Sequence, residues 1–296
     1  MSKVNFRGLG VALVTPFKSD DSIDYNALEK LIDYHLSNGT DYIVALGTTA
    51  ETPTLSAEEQ NKIVSFMVEK LNGRIPLVVG VGGNCTSVLV DKLKKMDCKG
   101  ISAILSVTPY YNKPTQEGLY QHYCALSAAS QLPIILYNVP GRTGVNMSVE
   151  TTLRIARSCK NVIAIKEASG NINQITEIIK GAPEGFSVIS GDDSITTAVI
   201  QNGGIGVISV FGNAFPKEMK WLVQSVLEGD AVAARQKMEE SFNKLFDLMF
   251  IDGNPAGVKC LLSLKGLLEN KLRLPLVPVR EQTKQEIIEE LKKISQ

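Results

Sequence analysis

The stretch Val162-Ile163-Ala164-Ile165-Lys166 decides the fold. Four apolar residues run together without alternation and end on a lysine. A strand with one face in water alternates apolar and polar side chains, whereas a strand covered on both faces does not. The run therefore predicts a parallel strand buried on both sides. The same pattern recurs before it at 133–138 (PIILYN) and after it at 186–190 (FSVIS) and 205–210 (IGVISV). Toward the N-terminus it appears at 9–14 (LGVALV), 41–46 (DYIVAL), 76–81 (PLVVGV) and 101–107 (ISAILSV).

Longer amphipathic stretches lie between these runs. In 57–71 the residues Ile63, Val64, Met67, Val68 and Leu71 fall at helical spacing. Ser56 and Glu59 form a capping box and Gly73 closes the helix. In 25–37 Asp24 caps, Leu28, Leu31 and Ile32 face inward, and Gly39 terminates. Similar helices are expected at 86–96, 115–130, 149–157, 172–180, 193–202 and 216–228. Eight strands, each followed by a helix, predict an α/β fold, a (β/α)8 TIM barrel over residues 1–229. Strand signals then stop. Residues 231–250, 255–270 and 281–295 read as three helices, a small C-terminal extension over residues 230–296, with a Pro275–Pro278 turn before the last. The glycine run Gly80-Val81-Gly82-Gly83 is not a dinucleotide loop, because Cys85 stands where that fingerprint needs glycine.

Composition narrows the partners. The 296 residues carry 31 Lys+Arg and 31 Asp+Glu, so no basic excess points to nucleic acid or an anionic membrane. No apolar run approaches the ~20 residues of a membrane span. The N-terminal apolar stretch stops at Pro16, too short for a signal peptide. Five cysteines without a CxxC and only two histidines leave no zinc pattern. The expectation is a cytoplasmic protein with reduced, buried thiols and no metal.

In such a barrel, chemistry sits at the C-terminal ends of the strands. Lys166 ends the sixth. Burial there disfavours the ammonium form, and a neutral amine attacks a carbonyl to form a Schiff base; the alternative is a lysine reaching water or paired with Glu167. Tyr137 ends the fifth strand and can pass protons, or simply pack. Thr48 and Thr49 offer hydroxyls and turn amides to a carboxylate, or plain turn chemistry. Arg142 can clamp a carboxylate or make a surface ion pair. Asp192 and Asp193 read as helix caps rather than metal ligands. Together these residues fit imine chemistry on a carboxylated carbonyl compound.

At these motifs the chain resembles the dihydrodipicolinate synthase group of the N-acetylneuraminate lyase family of class I aldolases. The residues that carry the resemblance are Gly47-Thr48-Thr49-Ala50-Glu51, Thr108-Pro109-Tyr110-Tyr111-Asn112, Tyr137 through Gly144, Ile165 through Gly170 and Gly253-Asn254-Pro255. The resemblance implies a Schiff-base-forming lyase that condenses pyruvate with L-aspartate 4-semialdehyde to 4-hydroxy-tetrahydrodipicolinate, at the entry to the diaminopimelate route to lysine. It implies Lys166 as the imine lysine and Tyr137, Thr49 and Tyr111 as a proton relay, with Tyr111 reaching in from a neighbouring subunit. Thr48 and Thr49 would hold the pyruvate carboxylate, Gly191 and Ile208 would line the pocket, and Arg142 would take the semialdehyde carboxylate. It further implies a homotetramer built as a dimer of dimers and no cofactor. An effector pocket would be lined by Thr52, Pro53, Asn84, Val88 and Tyr110. Ala50 departs from a common glycine. Val88 and Ala57 depart from the acidic residue and histidine of lysine-sensitive relatives, so weak or absent lysine inhibition is expected. The competing readings are a sugar-acid or N-acetylneuraminate lyase, which a second carboxylate partner in Arg142 disfavours, and an inert small-molecule-binding barrel.

Overall fold

A computed structural model describes residues 5–294. Eight parallel strands form a closed ring in chain order. They are β1 (Gly8–Ala12), β2 (Tyr42–Ala45), β3 (Leu77–Gly80), β4 (Ala103–Val107), β5 (Ile134–Asn138), β6 (Val162–Glu167), β7 (Ser187–Ser190) and β8 (Gly206–Ser209). Every expected strand is present, one to three residues shorter at its ends in most cases. The apolar runs hide an inside-outside alternation. Ala164 joins the cluster that fills the barrel with Ile135, Tyr137, Ile189 and Ile208, while Ile134, Leu136 and Ile165 pack outward on the helices. Both faces are dry, so both are apolar; burying each such side chain contributes about 1.5–3 kcal/mol. The ring closes where β8 meets β1, with Gly206 opposite Gly8. A Cβ on Gly206 would lie 2.0 Å from the Gly8 carbonyl oxygen, so the seam requires glycine.

The surrounding helices are α1 (Tyr25–Ser37), α2 (Ala57–Leu71), α3 (Thr86–Lys95), α4 (Gln116–Ala129), the single turn α5 (Pro140–Thr143), α6 (Val149–Ser158), α7 (Ile172–Gly181), α8 (Thr196–Gln201) and α9 (Pro216–Leu227). The Asp24 cap on α1 and the Ser56–Glu59 capping box on α2 are present. The glycine run after β3 serves close packing: a Cβ on Gly80 would meet the Leu46 carbonyl oxygen at 1.9 Å, and one on Gly82 would meet Val107 Cγ1 at 2.5 Å.

The extension consists of α10 (Ala231–Ile251), α11 (Ala256–Leu264) and α12 (Glu281–Ile294). It shares the outer core of the barrel. Phe242 of α10 packs edge-on against Phe211 at 5.3 Å and Phe215 at 5.2 Å, just beyond β8. Three expectations need correction. The helix read at 255–270 stops at Leu264, because the chain turns through Gly266 at φ +72°. The helix read at 193–202 begins at Thr196, because Asp193 is used elsewhere, as described below. Of the cysteines, Cys159 and Cys260 are buried, but Cys85 is exposed and Cys98 and Cys124 are partly so; all five are free. Residues 1–4 and 295–296, including the last residue of the helix read at 281–295, lie outside the described residues. No helix among the described residues is long and apolar enough to cross a membrane.

Candidate active site

The site starts from the alternation along β6. Ala164 faces the barrel interior, so Lys166, two residues on, faces it too, and Glu167 faces the helices. Lys166 is 4% exposed, and among the described residues its amine makes no ion pair. The alternative of a lysine paired with Glu167 therefore does not hold. Parallel register sets Tyr137 of β5 directly beside Lys166, and Ile189 of β7 on its other side. The Lys166 Nζ lies over the Tyr137 ring, 4.4 Å from its centroid. Gly191, just past β7, donates its N–H to the Glu167 carbonyl at 2.7 Å. A Cβ there would meet Ala168 Cβ at 2.7 Å and Lys166 Cε at 3.1 Å, so glycine leaves the amine its room. Ile208 is fully buried in the same interior cluster.

The Gly47–Glu51 segment forms a 3-10 turn at Thr48–Ala50. It is bracketed by two non-glycine residues in the left-handed region, Leu46 at φ 54° and Glu51 at φ 55°. Such backbone persists only where the surroundings over-determine it. The ties are visible: Thr15 Oγ1 donates to the Ala50 carbonyl at 2.8 Å, and Thr52 Oγ1 to that of Gly47 at 2.9 Å. Thr49 is 2% exposed, and its hydroxyl oxygen accepts from Asn254 Nδ2 at 3.0 Å. Thr48 is half-buried, and its hydroxyl bonds to none of the described residues.

Arg142 rides on α5, exposed, with Nη2 donating to the Asn254 carbonyl at 3.2 Å. The turn beneath it is fastened by a buried network that sequence reasoning missed. Asn138 Oδ1 accepts from the Met147 N–H at 3.0 Å, and Asn138 Nδ2 donates to both oxygens of Glu167. Glu167 also accepts from the Ser169 N–H at 2.8 Å and Gln174 Nε2 at 3.1 Å. Burial raises its pKa against the pull of these donors. Asp193 is not a helix cap: its Oδ2 accepts from the N–H groups of Val210 and Phe211 at 3.0 and 2.9 Å and pins the end of β8. Asp192 bonds to Ser194 locally and does not cap α8.

A second missed cluster lies against the threonine turn. Glu51 and Lys259 form an ion pair with both side chains fully buried. Glu51 Oε2 also accepts from the Arg273 N–H at 3.1 Å, and Lys259 Nζ donates to the Lys271 carbonyl at 2.8 Å. Burial pulls Lys259 down to about 8. A lone lysine within the apolar run Ala256–Leu264 was the available signal, since fully buried lysines occur almost only when paired.

The remaining expected residues are exposed or half-buried. Tyr111 is 88% exposed at φ 72°. Tyr110 is exposed, with its carbonyl accepting from Asn84 Nδ2 at 3.2 Å, and Val88 is 62% exposed on α3. Pro53 is exposed and Thr52 half-buried. Both histidines lie on helices, His35 on α1 bonded to Thr40 and His122 on α4 bonded to Thr86, and burial lowers them to about 3 and about 4. Among the described residues no group of three or more His, Cys, Asp or Glu is placed to hold a metal. The arrangement thus offers a buried primary amine, a phenol beside it, and the threonine turn and the Arg142 guanidinium joined through Asn254.

Known proteins share this plan. A 4-hydroxy-tetrahydrodipicolinate synthase of Parabacteroides distasonis is 60% identical over 295 residues, covering 100% of this chain and 99% of its own. One of Phocaeicola vulgatus is 58% identical, covering 95% of this chain and 94% of its own. A crystal structure of dihydrodipicolinate synthase from Aquifex aeolicus superposes with a TM-score of 0.94 at 42% identity, covering 98% of both chains. The sequence profile of the dihydrodipicolinate synthetase family matches residues 5–294, and the chain belongs to that family.

Proposed function

We propose that this chain is a 4-hydroxy-tetrahydrodipicolinate synthase that joins pyruvate to L-aspartate 4-semialdehyde through an imine on Lys166. The observation that carries the reading is the Lys166 amine: buried, without a counter-ion among the described residues, and seated on the Tyr137 ring. An amine there attacks the pyruvate ketone and water leaves, giving the imine. Loss of a proton from the methyl carbon gives the enamine, whose carbon adds to the aldehyde of the second substrate. That substrate's amino group then attacks the imine carbon, closes the ring and releases Lys166 as a free amine.

The proton traffic needs a phenol and a hydroxyl near the amine. Tyr137 supplies the first. Of the two threonines, Thr49 accepts from Asn254 and keeps its own O–H to donate, whereas the Thr48 hydroxyl meets none of the described residues and can both accept and donate. We therefore place Thr48 in the relay that the family resemblance gave to Thr49, and give Thr49 and the turn amides to the pyruvate carboxylate. Arg142, held by the Asn254 carbonyl, meets the carboxylate of the second substrate. Gly191 and Ile208 shape the wall around the imine. Tyr111, almost wholly exposed on its own chain, serves the site of a second copy, within a tetramer built as a dimer of dimers. The barrel over 1–229 carries the chemistry and 230–296 buttresses it, in a cytoplasmic enzyme.

Borohydride reduction in the presence of pyruvate, followed by peptide mass mapping, tests the imine: one adduct is expected, on Lys166. A coupled assay with aspartate semialdehyde and a downstream reductase tests the condensation. An adduct on another lysine, or no turnover of the semialdehyde, refutes the proposal.

A further inference from the structure

The threonine turn is held by a segment of chain that takes no part in the chemistry. We propose that the buried Glu51–Lys259 ion pair is a positioning device for pyruvate, setting the Thr48–Thr49 turn relative to Lys166 without touching the substrate. The inference rests on the reading that this turn receives the pyruvate carboxylate.

Three observations support it. First, the pair is fully buried, and burying two charges is a poor way to gain stability, because well-packed apolar residues of the same volume do as well or better. What an ion pair supplies instead is direction. Second, the direction is fully specified. One Glu51 oxygen faces Lys259 and the other accepts from the Arg273 N–H. Lys259 is itself aimed by the Lys271 carbonyl and by the Phe17 ring, 4.2 Å from its Nζ. Arg273 is anchored in turn by the carbonyls of Asp21 and Thr54 and by Glu59 at 2.5 Å. Third, Glu51 is the residue whose left-handed backbone ends the turn. Its N–H donates to the Thr48 carbonyl at 3.2 Å. A shift of the Glu51 side chain therefore moves the Thr48 peptide directly.

Glu51→Gln tests this with little change of shape: it keeps an acceptor for Arg273 and removes the charge that aims Lys259. The double variant Glu51→Gln/Lys259→Met removes both charges, so no unpaired charge is left buried. The readouts are the pyruvate concentration that half-saturates borohydride trapping at Lys166, the KM of each substrate, and the melting temperature. Both variants are expected to fold, to need at least tenfold more pyruvate for half-saturation, and to keep the KM for the semialdehyde within twofold. A folded variant that binds pyruvate as the unchanged protein does overturns the proposal. So does a variant that loses both substrates equally, which marks a general structural role. Absence of any Lys166 adduct in the unchanged protein instead removes the imine reading and this inference with it.

Discussion

Gly191→Ala puts a single methyl group against the reacting lysine, and its cost can be worked from distances. The new Cβ would stand 2.7 Å from Ala168 Cβ, where ordinary contact begins at 3.4 Å, so the ends of β6 and β7 must part by about 0.7 Å. It would stand 3.1 Å from Lys166 Cε, so the amine must also give way by about 0.3 Å. Overpacking of this kind costs about 1–3 kcal/mol. For a chain of this size that lowers the melting temperature by about 2–6 °C. A 1 Å misplacement of a reacting group costs about a hundredfold in rate. A shift of about 0.3 Å at Cε, passed on to Nζ, is thus expected to lower kcat/KM for pyruvate about fourfold. The assay is the rate of borohydride-trappable adduct formation at fixed pyruvate, beside a thermal melt. Gly141→Ala is the stability control, since a Cβ there meets nothing within 4 Å. A Gly191→Ala protein that melts and reacts like the unchanged one refutes the close contact between Gly191 and Lys166.

Further tests address assembly, regulation and acid stability. Tyr111→Phe should lower activity, and mixing it with Lys166→Ala protein should partly restore it if Tyr111 serves a neighbouring copy; no recovery after subunit exchange argues for self-contained sites. Lysine should inhibit weakly or not at all, because Val88 presents no carboxylate to an ammonium, and Val88→Glu should strengthen the response; marked inhibition of the unchanged protein at cellular lysine concentrations contradicts this. Arg273 holds Glu59 down to about 2 from an ordinary 4.5. A carboxyl depressed in the folded state adds stability above its unfolded value and loses it as pH falls through the folded one. The melting-temperature gap between the unchanged protein and Glu59→Gln should therefore be present near neutrality and close between about pH 4.5 and about pH 2; a gap that persists at the acid end contradicts it.

The barrel was legible because buried parallel strands read as apolar runs and their number is countable. Helix starts were legible where a side chain caps locally, as Asp24, Ser56 and Glu59 do. Local reading failed where a polar side chain serves a distant segment. Asp193 looks like a cap because caps lie near in sequence, yet its partners are the amides of Val210 and Phe211. The 255–270 helix was overextended because the apolar pattern continues past Leu264 while the backbone turns at Gly266. Within the site, Lys166 and Tyr137 follow from strand ends alone, and register sets them side by side; Gly191 and Ile208 came only from the family resemblance.

The sequence by itself determined the eight βα units, the residues at their C-terminal ends and the family resemblance those residues carry, because each is a property of neighbouring positions. Only the tertiary structure decided which polar groups hold the site in place. Lys259 and Arg273 are separated from Glu51 by most of the chain, and Asn254 likewise from Thr49. A buried charge or hydroxyl must find its partner wherever the fold brings one within reach, and no local pattern states where that will be. The same physics separates the two threonines, since the fold brings Asn254 to the Thr49 hydroxyl and none of the described residues to that of Thr48.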